Sequence, residues 1–211
     1  TTVLSRNGAT VLQLRFSRFD NEKRELARLV DRSLTDPLTG TLNRAGLAQA
    51  LKKLAAGGRV FAFLVLDIDG FKNFNNTYGH LAGDALLSRI AQRLADGLQP
   101  EDLIARVSGD VFIICIYNAE ENESIQRTVR HMHAAVLEND DNLLSISIGV
   151  AMSPKDGTDF EDLYRKADLA MYCAKGRGGN SYLFYEPDMV MPGSEAAEKP
   201  RTPEVQHMLV Q

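Results

Sequence analysis

The stretch Val60-Phe61-Ala62-Phe63-Leu64-Val65-Leu66-Asp67-Ile68-Asp69-Gly70 decides how the chain is read. Its apolar run is short, bounded by turn residues, and apolar at alternating positions on both faces. That pattern predicts a strand buried on both sides, ending abruptly in Asp67-Ile68-Asp69-Gly70. Upstream, Asp36-Pro37-Leu38-Thr39-Gly40 reads as a turn, because the residue before proline disfavours the helical region. Asn43 is placed to cap a helix over about 44–56, closed by Gly57-Gly58. Downstream, residues 80–98 carry Leu81, Ala85, Leu86, Ile90, Leu94 and Leu98 on one helical stripe. Leu103–Val107 and Val111–Tyr117 flank Ser108-Gly109-Asp110 and predict a hairpin. A helix over 123–138, a strand over 143–151, a helix over 160–174 and a short strand over 182–185 complete the core. Strands of mixed direction with helices on their connections predict an α+β sandwich.

Outside this core, residues 8–19 alternate apolar and polar like a strand, and residues 21–33 read as a charged helix. A lone strand leaves its edges unsatisfied, so we expect it to end an upstream domain. From Pro187 the chain is Pro-, Glu- and Ala-rich and aperiodic, and reads as a linker or tail. The 211 residues are 44% hydrophobic and 25% charged, with 24 basic against 28 acidic side chains and a net charge of -4. This balance excludes a wholly disordered chain, and it gives no global attraction to nucleic acid. The apolar run is far shorter than the ~20 residues that span a bilayer. The opening Thr1-Thr2-Val3-Leu4 lacks the charged start of a signal peptide. Cys115 and Cys173 sit in apolar stretches without a CxxC pattern and read as reduced core residues, so we expect a cytoplasmic location.

Three local features can carry chemistry. Asp67 at a strand end and Asp110 at the adjacent hairpin tip would form a hard-oxygen pair suited to Mg²⁺, which takes one or two carboxylates and completes its shell with water and substrate phosphate. Aspartates also end strands and make turns for purely conformational reasons. The segment 71–84 offers Lys72 to phosphate and Asn75 with Asp84 to a guanine edge; it reads equally as the cap region of the long helix. Lys175-Gly176-Arg177-Gly178-Gly179-Asn180 can wrap phosphates, or simply close a helix with basic residues favoured by its dipole. His131 and His133 sit two apart on a predicted helix and do not face one another.

Together these segments resemble the GGDEF, or diguanylate cyclase, family. Asp36-Pro37-Leu38-Thr39-Gly40-Thr41-Leu42-Asn43-Arg44 is similar to its opening DxLTGLxNR. Asp67-Ile68-Asp69-Gly70-Phe71-Lys72, then Asn75 and Tyr78-Gly79-His80-x-x-Gly83-Asp84, resembles its (D/N)hDxFKxxNDxxGHxxGD block. Arg106-Val107-Ser108-Gly109-Asp110-Val111-Phe112 stands at its R(Y/V)GGDEF signature, and Ala167-Asp168 through Lys175 completes the pattern. The resemblance runs from about residue 34 to 185. It implies a central, mostly antiparallel sheet of about five strands wrapped by helices, like nucleotide cyclases and polymerase palms. It also implies condensation of two GTP into cyclic di-GMP across two facing domains, each with Mg²⁺. On that basis Asp67, the Ile68 carbonyl and Asp110 would hold metal. Lys72 and Lys175 would meet phosphates, and Asn75 and Asp84 would read guanine.

The departures point elsewhere. The signature reads Ser108-Gly109-Asp110-Val111-Phe112, so its first Gly is Ser108 and its Glu is Val111. Valine neither ligates a cation nor takes a proton, and losing such a group lowers rate by ~10²-fold or more. Asn76 replaces an Asp, and Gly179 stands where the family's KxxGRN has arginine. In the family's product-inhibition RxxD, Asp102 remains but Gln99 replaces the arginine, whose bidentate contact glutamine cannot make. The resemblance therefore suggests a degenerate, catalytically silent regulatory module of cyclic di-GMP signalling that still binds GTP or serves only for docking; the competing reading is an active or weakly active cyclase. By analogy, residues 1–33 would end a PAS-like domain with a signalling helix that supports a homodimer. Residues 34–186 would form the GGDEF domain, and 187–211 a linker towards an EAL domain.

Overall fold

A computed structural model describes residues 33–119, 122–137 and 144–191. The strand and helix expected over 8–19 and 21–32, and the tail beyond 191, lie outside these residues. The buried strand forms as β1 (Phe61–Asp69), but it runs further than the apolar run predicts. Asp67 and Asp69 remain in register with a neighbouring strand on one side, and Asp67 on both. Paired backbone on either flank carries the strand past its last apolar residue, since a ladder continues while its N–H and C=O groups find partners.

The other elements, in chain order, are α1 (Arg44–Ala56), β1, α2 (Phe71–Tyr78), α3 (His80–Asp96), β2 (Leu103–Ser108), β3 (Val111–Tyr117), α4 (Asn122–Leu137), β4 (Ser145–Ser153), α5 (Phe160–Gly176) and β5 (Ser181–Phe184). The helix α2 is the one element the pattern does not predict; residues 71–78 read as a cap region and instead make two turns of their own. The five strands lie in the order β2-β3-β1-β4-β5. All neighbours are antiparallel except β4 and β5. This is an α+β fold around a mostly antiparallel sheet, as expected.

Alternation along β1 sorts the core into two layers. Ala62, Leu64, Leu66 and Ile68 face Leu86, Leu87, Ile90 and Leu94 of α3 and Ile125, Val129 and Met132 of α4. Phe61, Phe63 and Val65 face Leu47 and Leu51 of α1 and Leu163, Ala167 and Met171 of α5. Continuing the second face past Val65 gives Asp67 and Asp69. They therefore stand beneath the C-terminal end of α5, where the apolar packing stops. Both cysteines are free and buried, as expected.

Two contacts fix this end of the sheet. Gly149 of β4 pairs with Val65, and a Cβ there would lie 1.8 Å from the Ala167 carbonyl oxygen of α5. The missing side chain lets helix backbone rest on strand backbone. Before α1, Asn43 Oδ1 accepts from Gly46 N at 2.9 Å, which is the expected cap.

Candidate functional site

The hairpin tip is built first. Ser108 pairs with Val111, so Gly109 and Asp110 form the turn between β2 and β3, with a register shift between Arg106 and Ser108. Arg106 Nε donates to the Gly109 carbonyl at 2.7 Å, and Nη1 donates to Asp36 Oδ1 at 3.1 Å. One guanidinium thus ties the tip to the turn at Asp36–Gly40. Burial acts to raise the Asp36 carboxyl; the Thr39 hydroxyl and amide and the Arg106 charge outweigh it and hold the group below its ordinary value. An open cleft of about 410 Å³ beside the tip is lined by Asp36, Asn43, Arg44, Arg106 and Ser108 among others. Its arginines are already engaged, Arg106 with Asp36 and Arg44 with Glu161.

Asp67 sits across from Val111 on β3 and from Ser147 on β4. Directly opposed residues share a face. The cross-strand neighbour of Asp67 is thus an apolar side chain packed against the α1/α5 core layer. Lys175 Nζ, from the last turn of α5, donates to Asp67 Oδ1 at 2.5 Å. Burial raises the Asp67 carboxyl above its ordinary value; the Lys175 bond opposes this, and the charges of Asp110 and Asp69 add to the rise. Asp168, about two turns before Lys175 on α5, is also raised by burial, against the Lys175 charge.

Asp69 is fully engaged. Ser145 Oγ donates to it at 2.8 Å, Ser147 Oγ at 2.9 Å, and the Asn180 amide at 3.1 Å. Asn180 Oδ1 in turn lies 3.2 Å from His133 Nδ1 of α4. Burial lowers the His133 pKa, against the Asn180 bond and the Asp69 charge. This chain of bonds anchors the loop after α5 to the sheet on one side and to α4 on the other. Sequence reading missed it, although the alternation of Ser145 and Ser147 on one strand face was the available signal. His131 points away, with Nε2 3.0 Å from the Arg93 carbonyl, so the two histidines do diverge.

The remaining expected residues lie on α2, α3 and the β2 approach. Lys72 and Asp84 are exposed, on α2 and in the first turns of α3. Asn75 is half-buried, and its Oδ1 has no hydrogen-bond partner. That oxygen lies against Gly83, where a Cβ would come within 1.8 Å of it. A buried amide oxygen without a partner is costly. The side chain is thus close-packed by α3 with hydrogen-bonding capacity in reserve. Asp102 is committed otherwise: Oδ2 accepts from Gln99 N and Oδ1 from Tyr117 N, each at 2.9 Å. It closes the turn before β2 and caps the C-terminal end of β3.

A profile described as "Diguanylate cyclase, GGDEF domain" matches residues 33–181. The chain belongs to the GGDEF family. Among curated relatives, this GGDEF chain is 36% identical over 169 residues to the bifunctional diguanylate cyclase/cyclic di-GMP phosphodiesterase MucR of Pseudomonas aeruginosa, covering 76% of this chain and 25% of that protein. It is 37% identical over 156 residues to the diguanylate cyclase DosC of Escherichia coli, covering 69% of this chain and 34% of DosC. The chain therefore spans about a quarter to a third of the length of these relatives. A solved microbial GGDEF domain, described for its interaction with cyclic di-GMP, superposes with a TM-score of 0.65 at 36% identity, over 74% of this chain and 99% of that one. Among the described residues, no helix is long and apolar enough to cross a membrane.

Proposed function

We propose that this GGDEF domain is a catalytically silent regulatory module of cyclic di-GMP signalling that retains a guanine-nucleotide site. The observation that carries the reading is the Asp67–Val111 pair. The ladder sets Val111 directly across from Asp67, where the family's signature has a carboxylate. Asp69 does not stand in for it, because it already accepts from Ser145, Ser147 and Asn180. Among the described residues, no group of three or more His, Cys, Asp or Glu side chains converges as a metal site.

Asp67, the Ile68 carbonyl and Asp110 would hold a divalent cation. This set is within what Mg²⁺ accepts, one or two carboxylates plus water and phosphate. Bound there, Mg²⁺ would supply neutralisation of triphosphate charge. Lys72 and Lys175 would meet phosphates, and Asn75 and Asp84 would read guanine. The unpartnered Oδ1 of Asn75 and the exposure of Lys72 and Asp84 support these assignments. Gln99 and Asp102 would not form a product-inhibition site, because both Asp102 oxygens serve backbone amides. We assign residues 34–186 to the domain, with a PAS-like end and signalling helix in 1–33, a linker towards an EAL domain in 187–211, a cytoplasmic location and a homodimer through the N-terminal helix. The pairing of cyclase with phosphodiesterase in MucR is in keeping with the EAL linkage.

The test is to incubate the 211-residue chain with GTP and Mg²⁺ and resolve the nucleotides chromatographically. Unconsumed GTP is the expected result. Appreciable cyclic di-GMP would establish the competing reading, an active or weakly active cyclase.

A further inference from the structure

We propose that Lys175 is the resident cation of the Asp67 site, an internal counter-ion that any divalent ion must displace before it can bind. The inference rests on the reading above that Asp67, the Ile68 carbonyl and Asp110 face the cation.

Three observations carry it. The Lys175 ammonium lies 2.5 Å from Asp67 Oδ1, in a pair whose side chains are 35% and 14% exposed. This is a direct, partly desolvated contact and not a long surface pairing. The other acid on this face, Asp69, already accepts three bonds, so it has little to offer an incoming ion. Asp110 lies close enough to Asp67 for their charges to couple. The carboxylate beside the ammonium is therefore under pressure to find positive charge, and Lys175 supplies it.

The geometry of α5 makes the arrangement reversible. Lys175 sits in the last turn, where Arg177 N and Gly178 N close the helix onto Ala174 and Lys175 carbonyls at 3.2 and 3.0 Å. Its backbone is fixed, while its flexible stem carries a compact point charge that can be redirected. The ammonium can serve Asp67 or a phosphate oxygen, but not both at full strength. A cation arriving at Asp67 would free Lys175 for phosphate, and a phosphate arriving at Lys175 would free Asp67 for a cation. Linkage makes that help reciprocal.

The experiment uses Mn²⁺ alone, with its binding followed by loss of the free-ion paramagnetic resonance signal at neutral pH. Lys175→Met removes the ammonium but keeps an unbranched side chain. It should bind Mn²⁺ at least tenfold more tightly than the unaltered chain, and adding Asp67→Asn should return binding to the weak level. Equal or weaker binding by Lys175→Met overturns the proposal, as does tight binding that survives Asp67→Asn. Circular dichroism checks folding, and Lys175→Gln replaces the methionine variant should that one unfold. No nucleotide is present, so this result is independent of whether the chain makes cyclic di-GMP.

Discussion

At the scale of single residues, the acids of this chain divide by what they are bonded to, and that division is invisible in the sequence. Asp102 matches the family's inhibitory-site motif, yet it is held by two backbone amides. A motif position can thus be held for conformational reasons where Gln99, not arginine, is its partner in the pattern. Asp36 shows how such a bond sets pH dependence. Its folded pKa lies below 3.8, so the unfolded chain binds the proton more readily. The stability it contributes is therefore full above about pH 4 and is lost as pH falls through the folded value. Asp36→Asn, which mimics the protonated acid, should cost about 1.5–3 kcal/mol at pH 7, the worth of a hydrogen bond to a charged group. The gap to the unaltered chain should narrow as pH falls below about 4 and through the lowered folded value. Urea melts across acid pH check it, and a gap that stays constant with pH would show that the bonds of the ionised carboxylate to Thr39 and Arg106 contribute nothing.

At the scale of elements, apolar patterning marks β1, α3 and β4, and cap and turn residues mark α1 and the hairpin. Helix α2 escaped because Phe71-Lys72-Asn73-Phe74-Asn75-Asn76-Thr77-Tyr78 is short and rich in residues that favour turns and caps. What holds it is tertiary: Phe71 is buried in the α3 layer and Phe74 packs against it. The end of β1 was misjudged for the same kind of reason, since β4 and β3 continue the ladder past the apolar residues. Close contact between elements is equally hard to read from spacing. Gly149 lies in a buried strand where β-branched residues would be expected, and only the position of α5 explains it. Any Cβ there meets the Ala167 carbonyl and the Met171 amide at 1.8 and 2.3 Å, both backbone atoms that cannot move aside alone. Gly149→Ala should therefore destabilise by about 3 kcal/mol or more, beyond the usual 1–3 kcal/mol of overpacking. Denaturant midpoints measure this, and a change under 1 kcal/mol would mean that α5 lifts off β4 without penalty.

At the scale of the whole molecule, the sheet order brings the β1 end, the β2–β3 tip and the C-terminus of α5 to one edge, so departures far apart in sequence fall in one electrostatic setting. Set against the signature that the chain resembles, Val111 stands for an acid and Gly179 for an arginine, and on the reading proposed above the two differences offset in charge. Gly179 also sits at φ +73, where a Cβ would come within 3.1 Å of Asp69 Oδ2, so the loop now suits glycine. This balance predicts what partial restoration does. Val111→Glu sets a carboxylate directly across from Asp67, a like-charge pair on one sheet face. Asp67 is already raised by burial and by its acidic neighbours. The new charge has no arginine at 179 to answer it, and Lys175 is engaged with Asp67. Val111→Glu should therefore be less stable at pH 7 than the uncharged Val111→Gln by about 0.5–1 kcal/mol; the glutamine variant accounts for the lost packing. The opposed carboxyls have raised folded pKa values, so the penalty is present above those values and disappears as pH falls below about 4 and both groups take protons. Thermal melts of the two variants from pH 7 to 3.5 read the difference directly. Equal stability at neutral pH would mean that this end of the sheet tolerates an acid beyond Asp67, Asp69 and Asp110, and that Val111 is not there to relieve charge.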